Sequence, residues 1–139
     1  MIVLFAVSCG VSVANLYYAQ PVLDDIAKSF GTSSGTAGLH LALLTLGIGE
    51  GDEVIVPSFV FVAVANAVLQ VRATPVFAEI DPVTLNLDPA AVERAVSPRT
   101  RALLVVHTFG VPAEMDALQA IARRHSLFII CLLYTSRCV

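Results

Sequence analysis

Residues 101–106 read Arg-Ala-Leu-Leu-Val-Val, and after the arginine no polar residue interrupts the run. A strand with one wet face alternates polar and apolar side chains. A strand that does not alternate must be covered on both faces, which is the habit of parallel sheets. Glu53-Val54-Ile55-Val56, stopped by Pro57, is a second short strand of this kind. Residues 74–80, ending at Asp81-Pro82, form a third, and residues 127–130 begin a fourth. The chain is 57% hydrophobic and 14% charged, against roughly 45–50% and about 25% in an ordinary soluble domain. Buried strands account for part of that excess, and 139 residues suffice for one domain with a modest core.

Helical signals separate the strands. Ser33-Ser34-Gly35 reads as a loop and N-cap before a helix over residues 36–46, where Leu39, Leu43 and Leu46 fall at helical spacing. Gly47, Gly49 and Gly51 punctuate the turn that follows. Residues 62–71 form an apolar helix. Asp88 caps another, with Pro89 at its first position, running to about Val96. Residues 115–125 form the last. Strands alternating with helices predict an α/β fold with a parallel-type sheet flanked by helices.

Charge and cysteine usage narrow the function classes. The net charge of −3 and the scattered arginines supply no basic stripe, so nucleic-acid binding has no electrostatic support. Cys9, Cys131 and Cys138 are odd in number and form no C-x-x-C pair, which predicts neither a disulfide framework nor a metal site.

Both ends of the chain differ from its middle. Residues 1–22 carry no charge and approach the roughly 20 residues of a spanning helix. A basic n-region and a clear cleavage site are missing, which argues against a secretory signal. Hydropathy leaves a buried helix and a membrane helix equally open. The run Val13-Ala14-Asn15-Leu16-Tyr17-Tyr18-Ala19-Gln20-Pro21, after Leu4-Phe5-Ala6-Val7-Ser8-Cys9-Gly10, resembles the first transmembrane helix of a major facilitator superfamily transporter. That resemblance covers residues 1–31 and implies membrane contact through residues 1–22, with a transporter as the second functional reading. Residues 131–139 break the strand–helix pattern and resemble a foreign adapter-like tail.

Ser33-Ser34-Gly35-Thr36-Ala37 opens a helix, and the free N–H groups and positive end of a helix suit an anionic phosphate. Gly35 permits close backbone approach, and the Thr36 hydroxyl can add a hydrogen bond. By itself the signal is weak, since serine-rich caps are common. It continues through Gly38-Leu39-His40-Leu41-Ala42-Leu43 and Gly47-Ile48-Gly49-Glu50-Gly51-Asp52 to Pro57-Ser58-Phe59. Ala73-Thr74-Pro75-Val76-Phe77, Ile80-Asp81-Pro82, Thr84-Leu85-Asn86-Leu87-Asp88-Pro89, Val106-His107-Thr108-Phe109-Gly110 and Ala122-Arg123-Arg124-His125 follow in order. This pattern is similar to the DegT/DnrJ/EryC1/StrS aminotransferases.

The resemblance implies part of the large domain of a fold-type I pyridoxal 5'-phosphate (PLP) transferase over residues 32–130, preceded by a hydrophobic helix. It implies PLP as cofactor, a nucleotide sugar and an amino-acid donor as partners, a cytoplasmic location and a homodimer. Gly35, Thr36 and Ala37 match the phosphate-binding turn, and Phe61 matches the aromatic that stacks on the pyridine ring. Phe59 reads as packing. His107, at a strand end, either faces the site or bonds to backbone. Asp81 reads as turn chemistry, and His40 and His125 as structural. No catalytic residue is expected. PLP transamination needs a lysine to hold the cofactor and move a proton, and a carboxylate to pair with the pyridinium nitrogen. The only lysine is Lys28, outside the matched pattern, and Cys131-Leu132-Leu133 stands where the family places the aspartate. The absence of both groups predicts a cofactor-binding fragment that does not turn over.

Overall fold

A computed structural model describes residues 34–133 together with Asp25. The hydrophobic helix expected over residues 1–22, Lys28, and residues 134–139 of the tail lie outside the described residues. The chain divides into two compact units, Met1–Leu39 and His40–Val139.

Helix α1 spans Ser34–Thr45, β1 Glu53–Pro57, α2 Val62–Gln70 and β2 Thr74–Ala78. Then come α3 Pro89–Ala95, β3 Thr100–His107, a single 3-10 turn Thr108–Gly110, α4 Met115–His125 and β4 Phe128–Leu133. The strands form one sheet in the order β2-β1-β3-β4, and every pair is parallel. The α/β reading of the sequence, a parallel sheet with helices between its strands, is thereby met over the described residues.

The non-alternating strands are the central ones. All five residues of β1 are buried, as are six of the eight in β3. β2 lies at an edge and is half exposed, with Phe77 facing solvent and Pro75 inside it. An edge strand tolerates proline because one row of its backbone groups has no ladder partner. Along β1 and β3 the side chains alternate between the sheet's two faces. Ile55, Leu103 and Val105 meet Ala91 and Val92 of α3 and Leu118, Ile121 and Ala122 of α4 in one apolar cluster. The connection through α2 leads away from β3 and β4, so the usual right-handed crossover carries α2 over the opposite face, which Val54, Val56 and Leu104 line.

Local chemistry sets the element ends. The Asp88 carboxylate accepts from the N–H groups of Ala90 (3.0 Å) and Ala91 (3.2 Å), with Pro89 at the first helical position. Ser126 ends α4 in the left-handed region, φ 55°. Two expectations need correction. Helix α1 begins at Ser34, so Gly35 lies inside its first turn and not in a preceding loop. The break expected at Cys131 does not occur there, because β4 continues to Leu133, pairing Val105 with Cys131 and His107 with Leu133. Cys131, Leu132 and Leu133 are as compatible with a strand as the isoleucines before them.

Candidate functional site

Strand order locates the crevice. From β1 the chain moves outward to β2, and from β3 outward to β4 on the other side. Loops leaving the carboxyl ends of β1 and β3 therefore part in opposite directions, and the gap between them is where open α/β sheets bind ligands. Residues 58–61 leave β1 there, and residues 108–110 leave β3.

Aromatic rings stand at this gap. Phe59 and Phe109 have ring centroids 6.5 Å apart at 53°, a tilted pair. Phe61 is the N-cap residue of α2, with extended φ and ψ and no side-chain cap bond. Phe59, Phe61 and Phe109 are 49%, 65% and 76% exposed. All five phenylalanines among the described residues are exposed, and these three stand on the loops that leave β1 and β3. Phe59, expected to be packing, instead faces Phe109 and is half open.

The loop after β3 is tied down. Thr108 donates its backbone N–H to Asn86 Oδ1 (2.9 Å), and Asn86 Nδ2 donates to the Val111 carbonyl (3.0 Å). The Thr108 hydroxyl donates to the Leu85 carbonyl (3.1 Å). Phe109 has φ 52° and Gly110 φ 81°. A phenylalanine in the left-handed region costs about 1–2 kcal/mol, which these bonds offset. His107 resolves to its backbone-bonded alternative: its Nδ1 accepts the Ala113 N–H (3.0 Å). In the neutral ring Nε2 then carries the proton and is the donor toward Cys131 Sγ, 3.0 Å away. Burial pushes the Cys131 thiol above its ordinary pKa.

Of the other expected site residues, Thr36 and Ala37 are buried in the first turn of α1, a turn without any acidic residue. They belong to the Met1–Leu39 unit. Asp81 is turn chemistry, accepting from Val83 N–H (2.9 Å), Thr84 N–H (2.7 Å) and the Thr84 hydroxyl (3.1 Å). The Thr84 and Val83 backbone bonds hold its carboxyl below the usual range. His125 pairs with Glu93 Oε1 (3.0 Å), which also accepts from Arg124 (2.9 Å). Asn86 and Phe109 carried no role in the sequence reading. The only sequence feature of the first is an asparagine between two leucines, which names no partner. Among the described residues no cluster of three metal-ligating side chains occurs, and no helix is long and apolar enough to cross a membrane.

Fold and site together define a parallel α/β protein with an aromatic-lined crevice at the carboxyl ends of its central strands. The sequence profile of the DegT/DnrJ/EryC1/StrS aminotransferase family matches residues 25–131, and the chain belongs to that family. The match begins inside the segment read above as transporter-like. An L-glutamine:2-deoxy-scyllo-inosose aminotransferase of Micromonospora echinospora is 53% identical over 106 residues, 76% of this chain and 25% of that protein. A UDP-N-acetyl-3-dehydro-alpha-D-glucosamine 3-aminotransferase of Acidithiobacillus ferrooxidans is 48% identical over 108 residues, 78% of this chain and 29% of that protein. Among solved structures, NtdA of Bacillus subtilis with bound PMP superposes at a TM-score of 0.68 with 39% identity, over 70% of this chain and 22% of that one. PLP is the family's cofactor. The chain spans about a quarter of the length of the curated relatives it matches.

Proposed function

We propose that this chain supplies the cofactor-binding part of a PLP-dependent aminotransferase that moves an amino group from an amino acid to a keto sugar carried on a nucleotide. The observation that carries the reading is Phe61, a ring 65% exposed at the carboxyl end of a central strand. A ring that stacks on a flat heterocycle has to present an open face, and Phe61 does so where the strand order parts the loops of β1 and β3.

The family resemblance assigns residues of the binding half of the cofactor site in each of the two compact units separately. The first turn of α1 carries no carboxylate to repel a phosphate. By that resemblance Gly35, Thr36 and Ala37 in the first unit would hold the phosphate, and in the second unit Phe61 would stack on the ring. When bound, PLP supplies an electron sink for charge developing on the substrate's amino-bearing carbon. The chain's own residues bind and orient. Phe59, Phe61 and Phe109 present apolar surface that would exclude water from one side of the ring. Nothing among the described residues of β4 pairs with a ring nitrogen, since Cys131 and Leu132 carry no charge. Lys28 is the sole lysine of the 139 residues and falls near the start of the matched stretch 25–131, ahead of α1, so the expectation for this chain is binding without turnover.

The test is titration of the purified chain with PLP and with pyridoxamine 5'-phosphate, followed by borohydride reduction. Saturable binding weakened by Phe61→Ala, without a stoichiometric pyridoxyl adduct, is the expected result. Absence of binding removes the reading, and a stoichiometric adduct on Lys28 with turnover removes the claim of inactivity.

A further inference from the structure

We propose that Asn86 is a positioning residue that sets the aromatic wall of the crevice by holding Phe109 in its left-handed conformation. Asn86 lies before α3, 22 residues ahead of the loop it grips, and is 3% exposed. Its amide is used at both ends. The carbonyl oxygen accepts the Thr108 N–H, and the NH2 group donates to the Val111 carbonyl. These two backbone groups bracket Phe109 and Gly110, the two consecutive residues with positive φ. An asparagine is the right length and polarity here, because one planar group must accept at one side of the loop and donate at the other.

The surrounding bonds reinforce the same loop. Asn86 is itself placed by the Thr84 hydroxyl, which accepts its N–H (3.3 Å), and by its own carbonyl, which accepts from Asp81 N–H (2.8 Å). The Val111 N–H returns to the Thr108 carbonyl (2.9 Å), closing the turn. The result is an unfavourable backbone conformation imposed on a residue whose ring is 76% exposed. The backbone conformation sets the direction of the ring, which meets Phe59 across the gap. Released from Asn86, residue 109 returns to an ordinary φ, and its ring leaves the wall.

That the wall faces a flat phosphorylated heterocycle rests on the function proposed above. The placement by Asn86 does not. The experiment uses the full 139-residue chain and pyridoxamine 5'-phosphate as probe, with the variants Asn86→Ala, Phe109→Ala and the double variant. Each single change is expected to weaken binding about tenfold, and the double variant no more than either alone. Hydrogen exchange at the Val111 amide should quicken about tenfold in Asn86→Ala, while amides of β1 keep their protection. Independent, additive losses of affinity would overturn the proposal, since a merely structural asparagine does not act through Phe109. If the unaltered chain fails to bind the probe, the PLP reading falls. The exchange measurement then decides alone, and an unchanged Val111 amide overturns the positioning role.

Discussion

Replacing Glu53 by glutamine should lower stability at neutral pH by about 1–2 kcal/mol and flatten its acid dependence. The Glu53 carboxylate is 7% exposed at the start of β1. Ser97 Oγ donates to its Oε2 and Arg99 Nη2 to its Oε1, while its backbone N–H donates to the Arg99 carbonyl (2.9 Å). The group thus ties the first residue of one central strand to the turn that feeds the other, where the β1–β3 register shifts. A hydrogen bond to a charged group contributes about 1.5–3 kcal/mol and a neutral one about 0.5–1.5. Glutamine keeps the shape and converts the first kind to the second. The Arg99 side chain is 72% exposed, so its ion pair adds less than about 1 kcal/mol. The Ser97 bond, with the Arg99 bond and charge behind it, holds the Glu53 pKa below its ordinary value although burial opposes this. A depressed carboxylate binds protons more weakly folded than unfolded. Its contribution is therefore complete above the unfolded value near about pH 4.3 and fades as pH falls through the lowered folded value. Urea denaturation at neutral pH and in acid measures both effects. Equal stability at neutral pH, or a gap that fails to narrow in acid, would refute this account.

Asp88→Ala removes the acceptor for two free N–H groups of α3 and should cost about 1 kcal/mol, read by the same denaturation. Leu103→Ala opens a cavity at the centre of the α3–α4 face and should cost about 3–5 kcal/mol, a large share of what a domain this size has. Iodoacetamide should alkylate Cys131 more slowly than a free thiol at neutral pH, because burial raises its pKa, and an unfolded control should react at the ordinary rate.

Much of the fold was legible because its strongest signals are local. Non-alternating apolar runs announced β1 and β3, and the two strands that are buried throughout are those that read most clearly. Asp88-Pro89 announced the start of α3 to the residue. Edges read worse. Residues 79–80 looked like strand but form only an isolated bridge, Ile80 to Leu87, since β2 has a neighbour on one side alone. At Cys131 composition suggested a break, yet β3 presents ladder groups as far as His107, and apolar residues took them up. Strand order was not legible at all. It depends on which strand each helix returns the chain to, a tertiary choice that hydrophobic period does not encode.

The site divides along the same line. Phe61 was legible from its place in a family pattern, and it stands at the N-cap of α2 beyond the carboxyl end of β1. Asn86 was not, because its partners lie 22 and 25 residues away and belong to the backbone. No pairing of side-chain types hints at them. Phe109 was missed for a related reason: a positive φ on a phenylalanine contradicts its propensity and exists only because a distant amide enforces it. Local preference and observed conformation disagree at four non-glycine residues with positive φ, Arg72, Leu85, Phe109 and Ser126. Of these, Phe109 stands at the carboxyl end of β3, where the strand order opens the crevice, and Leu85 carries the carbonyl that accepts the Thr108 hydroxyl. The two left-handed residues are thus joined through one hydrogen-bonded loop, a link between distant segments that no local preference encodes.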